Sequence, residues 1–211
     1  MRVCQMPPSR SNIFAPTRAV LHDYRTEAAT FLRAWLRSPL GIASLVPSSN
    51  ATGRAFARLL DFERPGTVLE LGSGTGAIGQ SLLAAGLPPD RLVMVERDPD
   101  LVAFLHQRFP SVKVLQGDAT KLAPTLERLD ISQLSATVST LPIVWFPLQA
   151  QEAVLSTCLD RLGDGGYFLQ LTNQPASPLP LKKLGIAGER VTQIWRNFPP
   201  CFIWRYWRPR S

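Results

Sequence analysis

The sequence predicts an α/β fold: a doubly wound, mostly parallel sheet of seven strands, with an antiparallel pair at its C-terminal end and covering helices from the N-terminal part. Three observations carry this. Between residues 67 and 172 short apolar runs alternate with stretches of helical period, the rhythm of βαβ units. The first run hands over to its helix through three closely spaced glycines, Gly72, Gly74 and Gly76. The last two apolar runs are joined by Asn197-Phe198-Pro199-Pro200, too short for a crossover, so they must pair antiparallel.

In chain order, residues 1–17 are rich in Pro and Ser and read as a flexible segment when nothing binds them. From Thr17 to Leu40 the pattern is helical. Phe31, Leu32, Trp35 and Leu36 share one stripe, while Arg25, Arg33 and Arg37 lie off it. Pro39-Leu40-Gly41 ends that helix, and Ser48, Ser49 and Asn50 suit the cap of a second one over 50–62. Residues 18–62 thus read as an amphipathic helical region, fit for a lid or a membrane contact, and 63–211 as the core. Within the core the predicted strands are Thr67–Leu71, Arg91–Val95, Val112–Leu115, Leu134–Ser139, Tyr167–Thr172, Arg190–Trp195 and Phe202–Trp207. Helices are expected over Thr75–Ala85, Pro99–Arg108 and Leu148–Leu162.

A chain of 211 residues that is 45% hydrophobic can bury a sizeable core, and it is too apolar to be disordered. Its net charge of +7 is unevenly spread: +6 over residues 1–60, −3 over 61–186 and +4 over 187–211. A slightly acidic middle flanked by basic ends points to an anionic surface as partner, either nucleic acid or membrane headgroups. Three distant cysteines, Cys4, Cys158 and Cys201, give no disulfide framework and no metal spacing, so a reducing cytoplasm and no metal are expected. The N-terminus lacks the apolar run of a secretory signal. Ile131 to Gln151 carries no charge, but its polar residues and two prolines exclude a spanning helix. A soluble or peripheral protein is expected.

The glycine turn lies in Glu70-Leu71-Gly72-Ser73-Gly74-Thr75-Gly76, where a strand meets a helix and the backbone can approach a ligand closely. With Ala77 it also satisfies the dinucleotide pattern. The surrounding acids argue otherwise. Glu70 precedes the loop, Glu96 ends the second strand where a carboxylate can accept both ribose hydroxyls, and Asp118 with Ala119 follows the third strand. Acids so placed repel a pyrophosphate but suit an adenosine with a cationic amino-acid tail, as in S-adenosylmethionine (SAM). About 90 residues follow Asp118, little room for the substrate domain of a nicotinamide dehydrogenase.

From Glu70 through Asp118 and onward the sequence resembles the class I SAM-dependent methyltransferases, whose fold is Rossmann-like. The resemblance implies Glu70, Gly72, Ser73, Gly74, Thr75 and Gly76 near the methionine part of SAM. It implies Glu96 and Arg97 at the ribose, Asp118 and Ala119 at the adenine, and Ser49 in the cofactor set. In that family the end of the fourth strand faces the methyl group; here it reads Ser139-Thr140-Leu141-Pro142-Ile143-Val144-Trp145-Phe146-Pro147. Methyltransferases of nucleobase amines commonly carry an Asn or Asp, then Pro-Pro or Leu-Pro, then an aromatic ring; this chain keeps Leu141-Pro142 but has Ser139 for the amide and Ile143 for the ring. A flipped base has no stacking platform at Ile143.

The arrangement resembles the bacterial soluble phospholipid N-methyltransferases over roughly residues 25–208. The residues that carry it are Phe31 to Leu36, Val46-Pro47-Ser48-Ser49, Val68 to Gly76, Leu141-Pro142 and Asn197 to Tyr206. It implies methylation of phosphatidylethanolamine, with its mono- and dimethyl derivatives, toward phosphatidylcholine at the inner leaflet of the plasma membrane. Ser139, Thr140 and Leu141 are then expected to orient the amine, with Tyr24, Trp145 and Arg196 touching the substrate. An Arg-rich helix with an apolar stripe fits such a surface, guanidinium groups on lipid phosphates. Equally, the stripe can pack on the sheet. Methylation of adenine N6 in RNA or DNA, with the basic ends tracking the backbone, is the second reading. A SAM- or lipid-binding protein without catalysis is the third.

Overall fold

The computed structural model describes residues 50–195 and 200–209. The expectations for the segment 1–17, for the amphipathic helix, and for Tyr24, Ser49, Arg196 and the Asn197–Pro199 connection lie outside the described residues.

Seven strands form one sheet: β1 Thr67–Leu71, β2 Leu92–Glu96, β3 Lys113–Gln116, β4 Leu134–Ser139, β5 Leu162–Thr172, β6 Ala187–Ile194 and β7 Cys201–Trp207. Their order is β3-β2-β1-β4-β5-β7-β6. Strands β1 to β5 pair in parallel, and β7 runs antiparallel between β5 and β6. The order reverses between β1 and β4, both of which leave the sheet at one carboxyl edge. In open parallel sheets ligands bind at such a switch point.

The helices are α1 Asn50–Leu59, α2 Ala77–Ala84, α3 Pro99–Arg108, α4 Ala123–Arg128, α5 Leu148–Leu159 and α6 Leu181–Leu184. Local chemistry sets several ends. The Asp98 carboxylate caps α3 by accepting from the amides of Asp100 at 2.9 Å and Leu101 at 3.1 Å, with Pro99 at the first helical position. Helix α2 starts at Ala77, two residues later than its pattern suggests, because Gly76 sits in the left-handed region at φ 78°.

Strand alternation sorts the core into two layers. Leu69, Leu71, Val93, Val95 and Phe168 face α4 and α5, packing with Leu126, Val154, Leu155 and Cys158. Val68, Leu92, Met94, Val138 and Leu169 face the other helices, packing with Phe56, Ile78, Leu82 and Leu105. Each fully buried Leu or Phe contributes on the order of 2–3 kcal/mol by leaving water. Helix α1 lies tightly on α2: a Cβ at Gly53 would fall 2.0 Å from the Ser81 hydroxyl. Among the described residues no helix is long and apolar enough to cross a membrane.

Candidate active site

At the carboxyl edge of β1, β2, β3 and β4 a cleft of about 380 Å³ opens. Glu96, Arg97, Asp118 and Thr120 form its polar wall, and Leu141, Phe146, Pro147 and Ala150 its apolar one. Gly72, Val95, Gly117 and Ala119 complete the lining. Carboxylates and hydroxyls on one side and flat apolar contact on the other match an adenosine, which has both kinds of surface.

The glycine loop is built into the sheet. Gly72 and Ser73 both donate their amides to the Val95 carbonyl, at 2.9 and 3.2 Å, tying the end of β1 to the end of β2. Gly72, Gly74 and Gly76 all have positive φ. A Cβ at Gly76 would strike Phe109 at 2.4 Å, whereas one at Gly74 would meet nothing within 4 Å. Space is therefore left above Gly74 and denied at Gly76. The Ser73 hydroxyl is buried without a hydrogen-bond partner among the described residues.

Glu96 is the anchor of the polar wall. Its Oε2 accepts from Gly74 N at 2.8 Å, and its Oε1 from the amides of Arg97 at 2.7 Å and Asp98 at 3.0 Å. Each carboxylate oxygen has two lone pairs, so Oε2 still has one to offer. Asp118 is fixed in the same manner: its Oδ1 accepts from the Thr120 amide at 2.9 Å and hydroxyl at 2.8 Å. Thr75 is exposed at the loop's tip.

Glu70 stands elsewhere than its place in the motif suggests. It lies on the α2 side of β1, fully buried, and does not line the cleft. Burial pushes its carboxyl up to about 8; the nearby Gly79 amide, without a hydrogen bond of good geometry, partly offsets this, and the charge of Glu96 adds to it. Burial thus favours the neutral form of this carboxyl beneath the loop.

The segment after β4 also departs from expectation. Ser139 is fully buried, with its Oγ 3.4 Å from the Leu141 amide that donates to it. The Thr140 hydroxyl donates to the Gly72 carbonyl at 2.7 Å, joining this segment to the glycine loop. The Leu141 carbonyl cannot serve an amine: both its lone pairs are taken, by Gln170 Nε2 at 2.8 Å and Ile143 N at 2.7 Å. Trp145 does not line the cleft, and Phe146 does, because the 3-10 turn Ile143–Trp145 rotates the segment before α5 begins. Leu141 enters the site through its side chain instead. Sequence reasoning missed Phe146, Pro147 and Ala150 in the wall, and missed Gln151 and Gln170 behind it. The first three lie in the uncharged run Ile131 to Gln151, which extends into the start of α5.

These residues fit SAM. An orphaned Ser73 hydroxyl, open space above Gly74 and a carboxylate-lined wall offer donors and acceptors where its polar groups would lie. Among the described residues no cluster of His, Cys, Asp and Glu could hold a metal ion.

Comparison with known proteins agrees. The "Methyltransferase domain" family profile matches residues 68–166. An ornithine lipid N-methyltransferase of Singulisphaera acidiphila is 34% identical over 148 residues, 69% of this chain and 77% of that protein. The chain belongs to the class I SAM-dependent methyltransferases. A probable ribosomal RNA small subunit methyltransferase A of Halobacterium salinarum is 37% identical to this methyltransferase over 81 residues, which are 38% of this chain and 27% of that one. Solved structures share the fold. A TehB-like SAM-dependent methyltransferase from Corynebacterium glutamicum superposes with TM-score 0.56 at 15% identity, over 87% of this chain and 99% of that one. The magnesium protoporphyrin IX methyltransferase of Synechocystis, solved with bound SAM, gives 0.57 at 14% identity, over 77% and 80%. SAM is the cofactor of this methyltransferase.

Proposed function

We propose that this methyltransferase N-methylates the amine of a membrane-lipid headgroup. Phosphatidylethanolamine and its mono- and dimethyl derivatives are the acceptors its sequence resemblance implies, leading toward phosphatidylcholine. One observation carries the lipid assignment: the 34% identity to an enzyme that N-methylates an ornithine lipid runs across 77% of that enzyme. The likeness to the ribosomal RNA methyltransferase spans only 27% of that protein, too little to carry the RNA reading.

The residues divide the task by chemistry. Glu96 accepts from the ribose hydroxyls, Asp118 and Ala119 meet the adenine edge, Phe146 covers its face, and Leu141 stands beside Gly72 at the acceptor end of the cleft. Gly72 to Gly76, with the Ser73 hydroxyl, receive the methionine part. SAM, when bound, supplies an activated methyl group. The chain's part is to hold a neutral amine in line at near-attack distance. With the Leu141 carbonyl occupied, the Ser139 hydroxyl and the Thr140 carbonyl are the acceptors on this segment for the amine's N–H groups. Tyr24, Trp145 and Arg196 remain proposed contacts to the headgroup, and Ser49, Thr75 and Arg97 to SAM. The basic ends, +6 over residues 1–60 and +4 over 187–211, support peripheral binding to an anionic inner leaflet.

The test offers methyl-labelled SAM with vesicles containing phosphatidylethanolamine or ornithine lipid, separately and in competition. Preferential label in phosphatidylethanolamine is the expected result. Label confined to ornithine lipid would overturn the phosphatidylethanolamine assignment and keep lipid N-methylation.

A further inference from the structure

The segment from Ser139 to Pro147 leaves the sheet and must satisfy its carbonyls without strand partners. Two buried glutamines do this from behind. Gln170 on β5, 1% exposed, donates both N–H bonds of its side-chain amide, to the Leu141 carbonyl at 2.8 Å and the Leu171 carbonyl at 2.7 Å. Gln151 on α5, 6% exposed, donates likewise to the carbonyls of Ile143 at 3.1 Å and Phe146 at 3.0 Å. The amide orientations are determined by these contacts, since a flip would set oxygen against two carbonyls.

Both side-chain oxygens, Gln151 Oε1 and Gln170 Oε1, are buried without a hydrogen-bond partner among the described residues. A buried polar atom left unpaired costs about 1–3 kcal/mol. Each amide offsets that cost with its two bonds to carbonyls, so the net gain in stability at either position is small. Of the four residues whose carbonyls the glutamines hold, two, Leu141 and Phe146, line the cleft, one for each glutamine. With the Thr140 hydroxyl pinning the front of the segment to Gly72, the shape of the acceptor side is set from three directions.

We infer that Gln151 and Gln170 are positioning residues for methyl transfer: Gln151 sets the Phe146 side of the cofactor cleft, and Gln170 sets the Leu141 turn beside the acceptor amine. The inference rests on the lipid-amine reading only for the identity of the acceptor. It divides the two glutamines between two measurable steps, which a merely structural role does not.

The experiment uses the full chain with Gln151→Met and Gln170→Met, each of similar shape and unable to donate. SAM affinity is read by calorimetry, turnover with the lipid amine the wild type methylates best, and folding by thermal denaturation. Gln151→Met is expected to raise the SAM Kd about tenfold while kcat at saturating SAM changes by less than about threefold. Gln170→Met is expected to lower kcat about tenfold or more, because small misplacement of a reacting group is costly, with SAM Kd changing less than about threefold. Melting temperatures that fall while Kd and kcat stay within about twofold of wild type would overturn the inference, as would equal losses of both in both variants. Should the wild type label no lipid, the acceptor reading fails, and the Kd of Gln151→Met still decides the cofactor half of the inference.

Discussion

The carboxylate of Glu96 accepts a 2.8 Å hydrogen bond from the amide of Gly74, so one side chain from the end of β2 both shapes the glycine loop and lines the cleft beside it. The amides of Arg97 and Asp98 hold its other oxygen. Charge-assisted bonds of this kind are stronger than neutral ones. Glu96→Ala removes the proposed ribose acceptor and frees the loop, and should weaken SAM binding by about 2–3 kcal/mol, roughly 30- to 150-fold in Kd. Calorimetry with SAM checks this; an unchanged Kd would remove Glu96 from the cofactor site.

Gly74 and Gly76 separate binding from folding. Both have positive φ, 54° and 78°, so alanine strains either one by about 1–2 kcal/mol. Only at Gly76 does the new Cβ also collide, with Phe109 at 2.4 Å. Gly76→Ala should therefore fail to fold or melt far below wild type. Gly74→Ala should fold with a modest loss and lose SAM affinity, because its Cβ enters the space left for the ligand. Thermal melts with and without SAM distinguish the two. Full ligand-induced stabilisation in Gly74→Ala would place the methionine part elsewhere.

Glu70 gives a pH signature. Its carboxyl is raised from about 4.5 to about 8 in the fold, chiefly by burial. Below the lower value it is protonated folded and unfolded alike. Between the two, unfolding releases its proton, so stability falls as pH rises, by up to about 1.4 kcal/mol per unit. Above about 8 the contribution levels off. Glu70→Gln has no such proton, so its stability relative to wild type should increase from about pH 5 to about pH 8 in urea unfolding. A difference that stays flat across that window would show the Glu70 carboxyl ionised in the fold.

Much of the fold was legible from local chemistry. The bounds of β1 and β4 follow from short runs of apolar, β-branched and small residues, and those of α3 from an Asp-Pro cap. Helix α4 escaped because it has only six residues, fewer than two turns, and shows no period. Strand β5 starts at Leu162, where Gly163, Gly165 and Gly166 mask its beginning. In the site, spacing put Glu96 and Asp118 at strand ends, and both line the cleft there. It misplaced Glu70, since strand alternation turns that side chain to the α2 face. Sequence set Trp145 and Phe146 side by side but does not show how the 3-10 turn between Ile143 and Trp145 leaves Phe146 in the wall of the cleft. Gln151 and Gln170 read as ordinary polar positions on a helix and a strand; only the carbonyls they meet show their use.

The central claim is that this SAM cleft serves a lipid amine. The most direct measurement incubates the purified full chain with SAM carrying a labelled methyl group, phosphatidylethanolamine vesicles and RNA, then extracts each and locates the label. The account predicts label on the headgroup nitrogen of the lipid, abolished in Glu96→Ala. Label in RNA with none in the lipid would contradict it.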